Sequence, residues 1–165
     1  TGWGSSVYAA EVKPGDNVAV IGVGGLGSAA VMGAKLAGAE RIFAIDPVEF
    51  KRESAQKFGA THTSASVEEA LELIMAETWG RGCNKVICTM GVGSGDMMAS
   101  IMALTSKRGR VVVTNIHPWT EASNNIPMID CWLCATRVGR PLSSRLGKEA
   151  QSSPYSLTRR AMLSS

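Results

Sequence analysis

The 165-residue sequence is poor in aromatic residues, which form 5% of it, and it contains two histidines and four cysteines. No apolar run reaches the ~18 residues that a membrane-spanning helix needs, so we expect no membrane partner. The chain opens on Thr1 rather than on methionine, so we expect it to be an interior part of a longer protein, and we expect no signal peptide in it. Its composition, 45% hydrophobic and 19% charged, is ordinary for a globular domain, which we expect to be cytoplasmic.

Charge is distributed unevenly along the chain. Residues 1–130 carry 11 Lys and Arg against 13 Asp and Glu, a net charge of −2, whereas residues 131–165 carry 6 against 1, a net charge of +5. The first part therefore has no basic face of the kind that binds nucleic acid, and no such partner is expected. Residues 131–165 are rich in serine and have no sustained apolar period, which predicts a divergent, disordered tail.

Short apolar runs alternate with helical patterns along residues 1–130. We predict helices over residues 25–37, 48–58, 66–79 and 95–106, and strands over residues 18–21, 41–45, 62–63, 85–89 and 110–115. This alternation predicts an α/β domain of the Rossmann type, a doubly wound parallel sheet with five clear strands in the order 3-2-1-4-5. No apolar run after residue 130 could supply a sixth strand, so we expect that strand to be missing.

A glycine-rich loop follows the first predicted strand and opens the first long helix. Its sequence is Gly22-Val23-Gly24-Gly25-Leu26-Gly27. In this context the first glycine permits a tight turn, the second lets the backbone approach a pyrophosphate, and the third lets helix and strand pack closely. The bound phosphates would meet the helix N-terminus, whose free N–H groups and dipole favour anions. The pattern predicts a dinucleotide site, against the alternative of a glycine-rich turn in an unrelated α/β protein.

Asp46 ends the second predicted strand, 19 residues after Gly27. The dinucleotide fingerprint expects an acidic residue about 20 residues on, where it accepts hydrogen bonds from the adenosine ribose. A carboxylate there repels a 2′-phosphate, which favours NAD over NADP. The alternative role is a helix N-cap, because Pro47 is a good first helical residue, and the two roles are compatible.

The remaining polar residues form no recognisable catalytic motif. Short-chain dehydrogenases need the motif Tyr-x-x-x-Lys. The residues four positions after the two tyrosines are Val12 and Arg159 and not lysine, which excludes this class of enzyme. We interpret His62 as a strand-end residue. His117 follows the fifth strand near the expected nicotinamide, and we favour a non-catalytic role for it as well.

The cysteines do not predict a metal site. Cys131 and Cys134 have the spacing of zinc ligands, but such a site needs a second pair in a suitable loop. Cys83 and Cys88 are on or beside a buried strand, which favours reduced core thiols.

These motifs resemble the coenzyme-binding domain of zinc-type, medium-chain alcohol dehydrogenases. The similarity runs from Thr1-Gly2-Trp3-Gly4 through Val12-Lys13-Pro14-Gly15-Asp16 to the glycine loop. Three further stretches, residues 46–52, 57–62 and 111–118, are similar to the bacterial subgroup that uses nitroso-dimethylaniline as an artificial acceptor and holds its NAD tightly. The similarity covers residues 1 to about 130, which would form the NAD-binding domain.

The resemblance implies roles for residues at the ends of several strands. Thr1 matches a position that contacts the nicotinamide, and Asp46 and Lys51 match the pair that holds the adenosine ribose. Together with the glycine loop, the implied cofactor-binding residues are Thr1, Gly22, Gly24, Gly25, Leu26, Gly27, Asp46, Lys51, Met90, Gly91, Asn115, Ile116 and His117. Of these, Met90 and Gly91 match the adenine-side wall, and residues 115–117 match the turn beside the nicotinamide.

In the family that this sequence resembles, the zinc ligands and the proton relay precede the position matched by Thr1. The resemblance therefore implies an NAD-binding part of an oxidoreductase that passes hydride between a zinc-bound alcohol or aldehyde and nicotinamide. It implies a small-molecule substrate and a homo-oligomer, and it implies that this chain alone is inactive. Two alternatives stay open: a non-catalytic or degenerate dinucleotide-binding module, and a zinc-free relative of quinone reductases, against which Asp46 argues.

Overall fold

The computed structural model describes residues 1–91 and 97–114 of the chain. The helices are α1 (Gly2–Gly4), which continues into a π-helical turn (Ser5–Ala9), α2 (Gly25–Leu36), α3 (Glu49–Phe58), α4 (Val67–Glu77) and α5 (Met97–Ala103). The strands are β1 (Asn17–Ile21), β2 (Arg41–Ile45), β3 (His62–Ser64), β4 (Cys83–Cys88) and β5 (Thr105–Val113). The predicted tail, residues 131–165, and any sixth strand lie outside the described residues.

The five strands form one parallel sheet in the order β3-β2-β1-β4-β5, which confirms the predicted fold. The chain crosses from β2 and β3 on one side of β1 to β4 and β5 on the other. Ligands of such sheets bind outside the carboxyl ends of the strands, at the point where the strand order reverses. Here that point lies at the carboxyl ends of β1 and β4, which we call the carboxyl edge; the opposite end is the amino edge.

The two faces of the sheet carry separate buried cores. On β1, Ala19 and Ile21 belong to the cluster with residues of α4 and α5, whereas Val18 and Val20 belong to the cluster with residues of α2 and α3. Because side chains alternate along a strand, a continuous apolar run covers both faces. Helices therefore pack on both sides of the sheet, as the run of apolar residues predicted.

Helix α4 begins with a capping box, in which a serine at the N-cap is followed three residues later by a glutamate. The Ser66 hydroxyl accepts a hydrogen bond from the Glu69 N–H at 3.2 Å, and the Glu69 carboxylate accepts one from the Ala65 N–H at 2.8 Å. The carboxylate thus reaches the residue before the N-cap rather than the N-cap itself. Both bonds satisfy backbone groups that a helix start would leave unpaired.

Replacement Ser66→Ala is expected to lower the free energy of unfolding by about 1 kcal/mol, because it removes the N-cap acceptor. Thermal or urea unfolding followed by circular dichroism measures this change. Ser54→Ala is the matched control, since the Ser54 hydroxyl makes only a solvent-exposed hydrogen bond, to the Phe50 carbonyl within helix α3. Equal stability of the two variants would contradict a capping role for Ser66.

The boundary between α5 and β5 differs from the prediction. α5 ends at Ala103 and β5 begins at Thr105, whereas the sequence predicted helix to residue 106 and strand from Arg110. Thr105 pairs with Cys83, whose N–H donates to the Leu104 carbonyl at 2.8 Å. The pairing of β5 with β4 thus ends α5 earlier than the local sequence pattern predicts.

A register shift interrupts β5 just after its start. The pairing moves from Cys83 with Thr105 to Lys85 with Arg110, so β5 has extra residues that oppose a shorter stretch of β4. Arg108 has a left-handed backbone with φ of 66° at this bulge. The turn-like residues at the bulge concealed the first part of the strand from the sequence pattern.

The N-terminal segment packs against the start of α2. A Cβ atom at Gly2 would overlap the Leu26 carbonyl oxygen, and the Ser6 hydroxyl donates to the Ala30 carbonyl at 2.6 Å. Arg110 on β5 holds the following stretch, because its guanidinium donates to the Ala9 carbonyl at 2.8 Å. These contacts fix the segment that carries Thr1 beside the glycine loop.

None of the described helices is both long and apolar enough to cross a membrane.

Candidate functional site

The glycine loop makes a tight turn at the carboxyl end of β1. Gly22 has a φ of 85°, and a Cβ atom there would lie 2.9 Å from the Met90 backbone nitrogen. A Cβ atom at Gly27 would overlap the Gly22 carbonyl oxygen. The Thr89 hydroxyl donates to that same carbonyl at 2.6 Å, so β4, the loop and α2 meet at one point. Both glycines are therefore required by close backbone contacts.

The middle glycines of the loop face open space instead. A Cβ atom at Gly24 or Gly25 would meet no heavy atom within 4 Å. Gly24 is the N-cap of α2, and the first intrahelical bond runs from the Ser28 N–H to the Gly24 carbonyl at 2.8 Å. The N–H groups of residues 25–27 thus have no partner within the helix. Open space in front of such donors suits a phosphate group.

Asp46 lies at the carboxyl end of β2, beside the glycine loop. It is 4% exposed. One carboxylate oxygen accepts from the Val23 N–H at 3.1 Å and lies 3.6 Å from the Lys51 ammonium; the other accepts from the Val48 N–H at 2.9 Å. The N-cap of α3 is Val48, so Asp46 is not the N-cap that the alternative role required. The carboxylate instead joins the glycine loop, the end of β2 and the start of α3.

Arg52 supports this arrangement, and sequence reasoning missed it. Its guanidinium donates to the backbone carbonyls of Asp46 at 2.8 Å and of Pro47 at 2.9 Å. These bonds hold the turn that carries Asp46 and engage the arginine with the protein backbone. The only sequence signal was a second cation beside Lys51, which does not reveal a backbone partner.

A cavity of about 460 Å³ opens at the carboxyl edge, within the ~300–1,000 Å³ usual for ligand sites. Residues from the ends of β1, β2 and β4 and from the starts of α3, α4 and α5 line it. They include Gly22, Asp46, Lys51, Met90, Gly91 and Glu68. The cavity therefore brings together the first loop glycine, both residues implied for the ribose and both implied for the adenine wall.

The other implied cofactor residues lie beside this cavity or beyond the described residues. Thr1 is exposed at the start of α1, and Gly2 packs against the carbonyl of Leu26 in the glycine loop. Residues 115–117, implied for the nicotinamide turn, lie outside the described residues. The last described residue, Thr114, donates its N–H to the Cys88 carbonyl at 3.0 Å. β5 thus runs to the carboxyl edge.

His62 lies at the start of β3, at the amino edge. Its ring stacks on Phe43 with centroids 4.8 Å apart, and its Nδ1 lies 2.8 Å from the Thr61 hydroxyl oxygen. Its Nε2 lies 3.9 Å from a Glu77 carboxylate oxygen. These contacts account for the position of the ring at the start of β3, and its non-catalytic role stays a prediction.

Cys83 and Cys88, the cysteines of the described part, are both buried. Burial raises the pKa of Cys83 to about 12, so its thiol stays protonated at physiological pH. Among residues 1–91 and 97–114, no group of three or more His, Cys, Asp or Glu side chains could hold a metal ion. Cys131 and Cys134 lie outside those ranges.

A second cavity, of about 640 Å³, lies at the amino edge. It is larger than the first, but none of the glycine-loop residues lines it. Its charged residues include Arg41, whose guanidinium pairs with Glu40 at 2.6 Å and with Glu77 at 3.6 Å. The carboxyl-edge cavity is the better candidate because the strand order reverses there and phosphate-binding N–H groups open onto that edge.

Comparisons with known proteins agree with this geometry. Residues 25–155 match the zinc-binding dehydrogenase family. Alcohol dehydrogenase B of Mycobacterium tuberculosis is 44% identical over 131 residues, and the NDMA-dependent alcohol dehydrogenase of Amycolatopsis methanolica is 41% identical over 116 residues. These matches cover 78% and 70% of this chain, but 35% and 31% of the relatives. The chain thus spans about a third of their length.

Solved structures show the same architecture. The crystal structure of an alcohol dehydrogenase zinc-binding domain protein from Burkholderia ambifaria superposes with a TM-score of 0.74 at 27% identity, covering 82% of this chain and 36% of that one. The shared fold, the glycine loop and the family match lead to one conclusion. The chain belongs to the zinc-binding dehydrogenase family, of which it forms the coenzyme-binding domain.

Proposed function

We propose that this chain binds NAD(H) for a zinc-dependent alcohol dehydrogenase. The observation that carries the proposal is the link between Asp46 and the glycine loop. The buried carboxylate reaches both the Val23 N–H and the Lys51 ammonium, beside the open phosphate-binding helix start. A dinucleotide needs this combination, with N–H donors for its pyrophosphate and a carboxylate for its ribose.

The residues fit NAD(H) better than its 2′-phosphorylated form. Asp46 carries a negative charge where a 2′-phosphate would lie, and the guanidinium of Arg52 is already bonded to backbone carbonyls. The pyrophosphate would lie against Gly24 and Gly25, where the backbone leaves open space. We propose that Thr1 and residues 115–117 contact the nicotinamide, and that Met90 and Gly91 form a wall of the adenine site.

When bound, the nicotinamide supplies a hydride acceptor for alcohol oxidation and a hydride donor for aldehyde reduction. This chain's own residues hold and orient the dinucleotide. The zinc ligands and the proton relay belong, in this proposal, to another part of the whole protein. We propose a small alcohol or aldehyde as substrate and a homo-oligomer as the working state. The 41% identity to the NDMA-dependent enzyme supports placement in that subgroup.

Two alternatives make different predictions. A non-catalytic dinucleotide module would bind NADH alike but would have no zinc-bearing portion in the whole protein. A relative of quinone reductases would favour NADPH, which Asp46 opposes. The free, buried thiol of Cys83 agrees with a reducing compartment, and we propose a cytoplasmic location.

Fluorescence titration of the purified chain with NADH and NADPH tests the proposal. We expect saturable NADH binding, and no oxidation of ethanol or benzyl alcohol above blank, with or without added zinc. Absence of NADH binding, or tighter binding of NADPH, would contradict the cofactor assignment. Oxidation of either alcohol by this chain alone would contradict the proposal that the zinc ligands and the proton relay belong to another part of the whole protein.

A further inference from the structure

The carboxyl-edge cavity extends beyond the residues that would hold the ribose. Asp46 and Lys51 line one part of it, and Met90 and Met97 supply apolar surface in another. Glu68, in the first turn of α4, also lines the cavity. If the ribose of an adenosine contacts Asp46, its base would extend toward the two methionines and Glu68. Ligand sites use such a combination of apolar surface and a few polar groups to fix the orientation of the ligand.

The polar groups of this region differ in whether they already have partners. Both oxygens of Asp46 accept backbone N–H bonds, and the Ser66 hydroxyl already accepts the Glu69 N–H. The Glu69 carboxylate is engaged with the Ala65 N–H. Within the part of the chain that the structure describes, Glu68 makes no side-chain hydrogen bond or ion pair. Of the two carboxylates that line the cavity, Asp46 is assigned to the ribose, and Glu68 is the one that has no partner in the described part of the chain.

The start of α4 fixes where this acceptor lies. The bonds between Ser66, Glu69 and Ala65 hold the first turn, and Val67 is 8% exposed in the core beneath it. The backbone of Glu68 is thereby anchored on both sides, while its side chain is exposed. Because the backbone at Glu68 is held in this way, its carboxylate extends from a defined position. That position favours a specific contact with a ligand in the cavity.

We propose that the Glu68 carboxylate accepts a hydrogen bond from the exocyclic amine of adenine and so selects the base of the dinucleotide. This inference rests on the proposed function. A carboxylate only accepts hydrogen bonds, so it attracts the 6-amino group of adenine and repels the 6-oxo group of hypoxanthine or guanine. Glu68 is thus a residue that determines specificity for an aminopurine.

Titration of the full 165-residue chain with NADH and with reduced nicotinamide hypoxanthine dinucleotide tests this inference. The two ligands differ only at position 6 of the purine, amino or oxo, and in the proton that the 6-oxo form carries on N1. We expect the native chain to bind NADH about tenfold more tightly, the size expected for a partly solvated hydrogen bond to a charged group. Glu68→Gln is expected to reduce that ratio to within about twofold, because an amide both donates and accepts.

Glu72→Gln is the matched control. Glu72 is exposed one turn further along α4 and does not line the cavity, so this variant removes the same charge and should keep the native ratio. An unchanged ratio in Glu68→Gln, or an equal reduction in Glu72→Gln, would overturn the inference while leaving NADH binding intact. Failure of the native chain to bind either dinucleotide would overturn the proposed function, and this inference with it.

Discussion

Replacement Gly27→Ala is expected to lower the free energy of unfolding by about 3 kcal/mol, the upper part of the range for overpacking. The new methyl group would overlap the Gly22 carbonyl and lie 2.9 Å from the Thr89 hydroxyl oxygen. Both neighbours are held in place, because Thr89 donates to that carbonyl. For a domain of this size, we expect a fall in the melting temperature of roughly 6–12 °C.

Gly25→Ala provides the internal control for this prediction. Gly25 is two residues away in the same loop, but a methyl group there meets nothing within 4 Å. It is the first residue of α2, where alanine is a better helix former, so stability should be unchanged or slightly higher. Calorimetry of the two variants measures the difference. Equal melting temperatures would contradict the close packing at Gly27.

Replacement Asp46→Asn is expected to abolish most of the preference for NADH over NADPH. The variant removes the charge that opposes a 2′-phosphate, and an amide nitrogen would face the Val23 N–H or the Val48 N–H as donor against donor. A lost hydrogen bond to a charged group is worth ~1.5–3 kcal/mol, or roughly 10- to 100-fold in affinity. We expect NADH affinity to fall by about that factor, with NADPH affinity unchanged or higher.

The control for this variant is Asp16→Asn. Asp16 accepts a backbone hydrogen bond from the Lys13 N–H at 2.9 Å, as Asp46 does from Val23, but it lies before β1 at the amino edge. Its replacement removes the same charge far from the proposed site and should leave both affinities as they are. Parallel loss of preference in the two variants would mean that net charge, and not the ribose contact, sets the specificity.

The fold and the centre of the site could be predicted because they depend on local constraints. The glycine loop needs a left-handed residue at Gly22 and no side chain at Gly27, and both requirements are visible in the spacing of the motif. The continuous apolar runs of β1 and β2 indicate burial on both faces, which gives a parallel sheet covered by helices. The capping box at Ser66 is likewise a short-range signal.

Other features depend on contacts between distant residues. The early start of β5 follows from pairing with β4 across a bulge, which no periodicity records. The bonds from Arg52 to two backbone carbonyls depend on how the chain turns after β2. Glu68 belongs to the cavity only because α4 begins next to the carboxyl edge, and its sequence context indicates no more than a helix start.

Amide chemical shifts of the isotope-labelled chain, recorded as NADH is added, show whether the dinucleotide binds at the glycine loop. We expect chemical-shift changes that saturate with NADH and are largest at Gly24, Gly25 and Leu26, with smaller ones near Asp46. The amino-edge cavity, represented by Trp79 and Arg81, should be unaffected. Changes confined to Trp79 and Arg81, or a glycine loop that does not respond to NADH, would contradict binding of the dinucleotide at the carboxyl edge.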